Sequence, residues 1–298
     1  MSLFDTLVAQ AVQNQGELAP LQTVVEKELL HHDIIREMSA AGLLGKLTFI
    51  GGTCLRACYG SNRLSEDLDF TGGADFKRET LNRLGTVLVE QLAVKYGLRV
   101  EMSEPAKDTG TVDTWKLRMI TRPEQKGAPS QRINIDVCAL PSYDKRPVVL
   151  RNLYGVDMGT AGLIMQAESR EEILADKLIA FALRPNRLKN RDLWDIGWLK
   201  QNNVSVPLDL IPKKILDHRC TVDTYLLKLS ERSRSLHHDP AVKVAFTHEM
   251  KRFLPRKTIQ DTVTHADFWD YLSTVLQTEC DQVTQFLKAP ATAPVFTM

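Results

Sequence analysis

The strongest constraint on this chain lies between residues 47 and 73. A short apolar run, Leu47-Thr48-Phe49-Ile50, stops at Gly51-Gly52, and a second run, Leu64 to Thr71, stops at Gly72-Gly73. Side chains alternate across a strand, so Asp67 and Asp69 fall on one face of the second run. Leu68 and Phe70 then point into a core. Residues 53 to 59, between the two runs, suit a short helix that Thr53 is available to cap.

The flanks extend this pattern. Residues 5 to 44 are expected to be mostly helical, with Leu21, Val24, Val25 and Leu29 at helical spacing. A further amphipathic helix covers roughly Phe76 to Tyr96, with Gly97 as its C-cap. Strands are expected at Leu98 to Met102, Thr114 to Ile120 and Arg132 to Leu140, the last two joined as a hairpin by the polar loop 121–131. From Ser169 onward the chain reads as helical. Ser169-Arg170-Glu171-Glu172 fits a capping box that opens a helix to about Leu183. Arg184-Pro185 ends it, and the next helix begins near Lys189. Residues 205 to 290 read as helices separated by Pro207, Pro212, Pro240 and Pro255, and the segment 289–298 reads as loose. The fold class is therefore α/β, a mixed sheet with packed helices followed by a C-terminal helical part, divided as 1–165 and 166–298.

Composition removes several classes of function. The chain has 298 residues, 43% hydrophobic and 25% charged, enough for a real core. No apolar run is long enough to span a bilayer, and the N-terminus lacks signal-peptide character, so a cytoplasmic protein is expected. The five cysteines show no CxxC spacing, which argues against a disulfide framework or zinc knuckle. Cys54 and Cys58 read as small apolar residues on a buried helix face. The adjacent pairs His31-His32 and His237-His238 diverge on a helix and cannot chelate together. Trp115, Trp194, Trp198 and Trp269 read as core or semi-buried anchors and not as base-stacking platforms. No Walker A, GxSxG or HExxH sequence occurs. Net charge is only +1, so a nucleic-acid partner would need a local basic patch.

The carboxylates carry the chemistry. Asp67 and Asp69 on one face repel each other, and a divalent cation relieves that repulsion. Nucleotidyl transfer commonly uses two metals about 3.5–4 Å apart, clamped by such carboxylates. Asp136, in Ile133-Asn134-Ile135-Asp136-Val137, alternates correctly to supply a third. A strand that ends in Gly51-Gly52 and turns into a helix lets backbone amides approach a triphosphate, with the Thr53 hydroxyl beside them. Alone, an Asp-x-Asp strand is a solvated face and a Gly-Gly pair is a turn. Their order and spacing make the signal specific.

The run Phe49-Ile50-Gly51-Gly52-Thr53-Cys54-Leu55-Arg56, followed by Arg63-Leu64-Ser65-Glu66-Asp67-Leu68-Asp69-Phe70, resembles the first motif of the AbiEii/MenT-type nucleotidyltransferase toxins, within the DNA polymerase β-like superfamily. The resemblance extends to residues 171–195, where Lys177, Arg184, Arg191, Asp192 and Asp195 occupy the family's places. From the residues alone, Lys177 lies within the apolar stripe Ile173, Leu174, Leu178 and Phe181, and could pair locally with Glu172 or Asp176. The resemblance implies instead that Lys177 contacts the triphosphate and that Asp192 completes the site opposite the aspartate pair, orienting either the acceptor or Lys177. It implies a nucleotidyltransferase core closed by a helical domain. Asp67, Asp69 and Asp136 would hold Mg²⁺ or Mn²⁺, and Gly51, Gly52, Thr53, Ser65, Arg184 and Arg191 would line the nucleotide.

The connection Arg184, Arg187, Lys189, Arg191 is either a solvated turn or a basic rim for NTP or RNA phosphates. Lys251-Arg252 and Arg256-Lys257 read as a solvated face. The resemblance covers roughly 47–72 and 168–200, while the last hundred or so residues match no pattern. It implies a bacterial toxin that transfers NMP from an NTP, with the 3′ end of tRNA as acceptor and a cognate antitoxin as partner. Transfer to a protein or small molecule, or a non-catalytic nucleotide- or RNA-binding module, are the alternatives. Metal-dependent NTP turnover separates the last of these from the rest.

Overall fold

A computed structural model describes residues 2–106, 110–125, 127, 130–185 and 188–289. The segment 290–298, Arg187 and part of the 121–131 loop, for which expectations are given above, lie outside these residues. Helix α1 (Leu3–Asn14) opens on a capping box between Ser2 and Asp5. A 3₁₀ turn, Gly16–Leu21, leads into α2 (Gln22–Ala40). This helix buries not only Val25, Leu29, Leu30 and Ile34 but also Glu26, Glu28 and Asp33. A buried carboxylate needs partners, and each of these has them. Glu28 accepts from Arg56, the Ser65 N–H and the Tyr154 hydroxyl. Asp33 takes Arg36, Lys95 and Tyr96, and Glu26 takes Arg122 and Gln131. Through Glu28, α2 is tied directly to the motif segment.

The sheet begins with β1 (Thr48–Phe49), followed by α3 (Gly51–Tyr59) and β2 (Leu68–Thr71). Helix α4 (Leu84–Tyr96) ends at Gly97, whose φ of 63° is the left-handed conformation expected of it. Then come β3 (Val100–Ser103), β4 (Val112–Met119), β5 (Gln131–Cys138), β6 (Lys145–Val149) and β7 (Ile164–Glu168). The order is β3-β4-β5-β2-β1-β7-β6. The β1–β7 and β2–β5 pairs are parallel and the others antiparallel, so the sheet is mixed as expected. Strand β5 buries Gln131, Ile133, Ile135 and Val137 on one face and turns Asn134, Asp136 and Cys138 to the other. Across the central pair, Phe49 stacks on Phe70 with ring centroids 5.0 Å apart.

Strands β6 and β7 are additions to the sequence reading. Pro147 disguises β6, but β6 is the sheet edge, where a missing N–H costs no internal ladder bond. Strand β7 pairs with β1 at Phe49↔Ala167 and delivers the chain straight into the helical part.

That part comprises α5 (Arg170–Leu183), α6 (Asn190–Gln201), α7 (Leu210–Asp217), α8 (Val222–His238), α9 (Pro240–Met250), the single turn α10 (Arg256–Thr258) and α11 (Phe268–Lys288). Two expectations are corrected. Pro212 lies inside the first turn of α7 and not between helices, because a first-turn N–H is unpaired in any case. Ser169 does cap α5 through the Glu172 N–H, but the Glu172 carboxylate accepts from the Tyr143 and Asp144 N–H groups. Half of the capping box is diverted to hold the loop before β6. Trp115, Trp194 and Trp269 are buried, as are Cys54 and Cys58 on α3, and all five thiols are free. Among the described residues, no helix is long and apolar enough to cross a membrane.

Candidate active site

In the parallel β2–β5 register Asp69 lies beside Asp136, while Leu68 and Phe70 are buried behind them. Asp67 stands one residue before β2, and its Oδ1 accepts the Asn134 N–H of β5 at 3.1 Å. All three carboxylates open on one cleft of about 390 Å³. Asp136 Oδ1 is buried with no hydrogen-bond partner. Burial, and then the neighbouring Asp69 and Asp67, push its carboxyl above the usual carboxylate range, against a hydrogen bond from Thr114. Three carboxylates, one with an orphaned oxygen and none in an ion pair among the described residues, are a set that fits a hard divalent ion such as Mg²⁺ or Mn²⁺.

The glycine turn is shaped by two close approaches. Gly51 has a φ of +73°, and a Cβ there would meet Asp69 Oδ2 at 3.3 Å. A Cβ on Gly52 would lie 2.0 Å from Arg63 Nη2 and 3.1 Å from Asp195 Oδ2. The second glycine therefore clears space for a buried ion pair. Helix α3 starts at Gly51, two residues earlier than expected, and no side chain caps it. Its first-turn amides remain unclaimed by a cap. Thr53 is consequently not the cap. Its hydroxyl bonds the Ser65 hydroxyl and the Asp67 carbonyl, and it does not line the cleft. Ser65 does line the cleft, with its N–H given to Glu28 at 2.7 Å.

The opposite wall comes from α5 and α6. Lys177 Nζ lies 2.5 Å from Asp192 Oδ1 and 2.8 Å from Asp195 Oδ2. It does not turn to Glu172 or Asp176, which bind Lys214 at 2.8 and 2.5 Å. Asp195 also takes both Nε and Nη2 of Arg63 at 2.9 Å, a bidentate pair in which both side chains are buried. Burial opposes ionisation of Asp195, yet Arg63 and then Lys177 hold its carboxyl below the usual range. Burial likewise opposes the Lys177 charge, but Asp192 and Asp195 raise its pKa. Arg184 Nη2 reaches Asp192 Oδ2 at 3.0 Å. Arg191 lies 3.8 Å from Glu66 and 3.6 Å from Glu249, its guanidinium 4.8 Å from the Phe253 ring centre.

The cleft thus brings together Gly51, Gly52, Ser65, Asp67, Asp69, Asp136, Lys177, Arg184, Arg191 and Asp192, and leaves out Thr53. It includes Lys189 of the basic connection, adds Arg63, to which sequence reasoning attached no separate role, and has a far end formed by Glu168, Asp176, Lys214 and His218. Single oxygens of Glu168, Glu172 and Asp176 lie within 4.8 Å of one another. That acidic group already contains the Lys214 ammonium as its cation, so the aspartate set is the better fit for a metal.

Comparison with known proteins completes the description. Residues 33–274 match the family described as "Nucleotidyl transferase AbiEii toxin, Type IV TA system". No curated protein matches the sequence. Among solved structures, MenT4, a nucleotidyltransferase toxin from Mycobacterium tuberculosis H37Rv, is similar with a TM-score of 0.55 and 17% identity, over 94% of this chain and 97% of that one. JHP933 from Helicobacter pylori aligns with a TM-score of 0.49 and 18% identity, over 89% of this chain and 93% of that one. At such identities the MenT4 likeness speaks to fold alone.

Proposed function

Since the chain belongs to the AbiEii nucleotidyltransferase toxin family, we propose that its cleft transfers NMP from an NTP to an acceptor hydroxyl with Mg²⁺ or Mn²⁺, the 3′ end of tRNA being the acceptor. The observation that carries the metal is the Asp69–Asp136 pairing with Asp67 beside it and an orphaned Asp136 oxygen. Asp67, Asp69 and Asp136 would hold the ion, which when bound supplies charge neutralisation at the reacting phosphate. The uncapped α3 amides at Gly51 and Gly52, with Ser65, Arg184 and Arg191, would line the nucleotide, and Lys177 and Asp192 would close the site from the helical wall. The tRNA acceptor is supported by the family resemblance and by Arg184, Lys189 and Arg191, which line the cleft. We assign residues 1–165 to the catalytic core, 166–298 to a helical domain that completes the cleft, and a cognate antitoxin as partner. Cytoplasmic residence follows from that role.

The experiment is incubation of the full chain with each α-labelled NTP, Mg²⁺ and total cellular RNA, resolved on a gel. A labelled band of tRNA size from one NTP, lost with chelator, is the expected result. Label in protein would move the acceptor, and no metal-dependent transfer from any NTP would overturn the reading.

A further inference from the structure

The cations around the cleft are not equivalent. Lys177 is shared by Asp192 and Asp195, Arg184 is held by Asp192, and Arg191 is flanked by Glu66, Glu249 and the Phe253 ring. Arg63 is committed to Asp195 through two hydrogen bonds. Lys189 lines the same cleft, half-buried, yet among the described residues it forms no ion pair and no side-chain hydrogen bond.

Its position makes that solitude costly. Lys189 is the N-cap of α6, where Ser, Thr, Asp or Asn normally accept the first amides, and no side chain caps that helix. A cation at the positive end of a twelve-residue helix is unfavourable, and the first-turn Asp192 that could offset it is already held by Lys177 and Arg184. Burial lowers the Lys189 pKa, Lys177 and Arg191 add repulsion, and Asp192 and Asp69 act in the opposite direction. Lys189 also bears on the charge of Asp136, which puts it near the carboxylates assigned to the metal.

We propose that Lys189 is the side chain whose ammonium meets the polyphosphate of the bound NTP, whereas Lys177 is a buried positioning residue that fixes Asp192 and Asp195. This inference rests on the nucleotidyl-transfer reading. An NTP bound to metal at Asp67, Asp69 and Asp136 would place its phosphates against the α3 amides, and Lys189 lines the same cleft with no ion-pair partner among the described residues. The incoming anion would remove the repulsion among Lys189, Lys177 and Arg191 and satisfy the open α6 terminus. Lys177 could reach the same phosphates only by giving up its bonds to two buried carboxylates, which would then depend on Arg63 and Arg184 alone.

The test is calorimetric binding of the α,β-methylene analogues of ATP, GTP, CTP and UTP, with Mg²⁺, to the full chain and to its K189M, K189Q and K177M variants. For the analogue that binds wild type, K189M and K189Q should weaken affinity about tenfold or more, the loss of one charge-assisted contact. Their thermal midpoints should stay at or rise slightly above the wild-type value, because no ion pair is broken and a repelled charge is removed. Affinity for the matching NMP should change by less than that for the triphosphate. K177M should instead lower the thermal midpoint. Wild-type affinity in both Lys189 variants overturns the assignment and leaves the nucleotidyl-transfer reading standing. If wild type binds none of the four analogues, both fall together.

Discussion

The two walls of the cleft both carry buried charge, but they balance it differently. On the helical wall, Arg63, Lys177 and Arg184 face Asp192 and Asp195 in a network in which both carboxylates are paired within the protein. On the sheet wall, Asp67, Asp69 and Asp136 share one face, and among the described residues no cation forms an ion pair with them. A compensated network costs dearly when one member is removed, because the partner is left buried and charged. An uncompensated group costs little to thin out and gains from an external cation. The first arrangement is a frame. The second is uncompensated negative charge, which the proposed metal nucleotide would offset.

The largest test of this contrast is on the sheet wall. Asp69→Ala should lower transfer by on the order of 10²–10³-fold or more while leaving the thermal midpoint at or above the wild-type value. Asp67→Ala should abolish transfer equally but cost about 1 kcal/mol of stability, since the Asn134 N–H loses its acceptor. Transfer assays paired with melting curves decide it, and wild-type rates in both variants would remove the aspartates from the chemistry.

The helical wall should answer in the opposite sense. Asp195→Ala leaves Arg63 buried without its bidentate partner and should destabilise by about 3–5 kcal/mol. Asp192 and Asp195 are held below the usual carboxylate range in the fold, so they contribute stability above the ordinary carboxylate pKa, about 3.9. That contribution fades as pH falls from there toward their folded values. Urea titrations from pH 7 to pH 3 should show wild type losing stability more steeply than Asp195→Ala. Parallel curves for the two proteins would mean the network is not the frame described.

How far these walls could be read beforehand differs as well. Asp67, Asp69 and Asp136 were legible because strand alternation is a local rule, and Asp69 and Asp136 each stand between buried apolar residues. Lys177 was found through its helical stripe and the family resemblance, but its partners were not. Arg63 and Asp195 are 132 residues apart, and no local rule joins them. Gly52 shows the same limit. It reads as turn material, yet the atom that forbids a Cβ belongs to distant Arg63. Thr53 was misplaced because the left-handed Gly51 starts α3 two residues early, which moves the threonine inside the helix. Strands β6 and β7 escaped notice because they are short, half-exposed and interrupted by Pro147.

The smallest expected effect sharpens the contrast most, because it predicts a gain. Asp136 is partly buried, has one oxygen without a hydrogen-bond partner, and faces Asp69 and Asp67. Asp136→Asn keeps the shape and removes one of three like charges. In chelator the variant should therefore melt slightly higher than wild type, by a few degrees at most. Added Mg²⁺ should raise the wild-type midpoint, since an ion that binds only the folded state stabilises it, and should raise the variant less because a donor charge is gone. Transfer should fall in the variant despite its higher stability in chelator. The two melting curves, with and without Mg²⁺, separate the explanations cleanly. If Asp136→Asn melts well below wild type in chelator, Asp136 belongs to the frame, and the division between a compensated and an uncompensated wall does not hold.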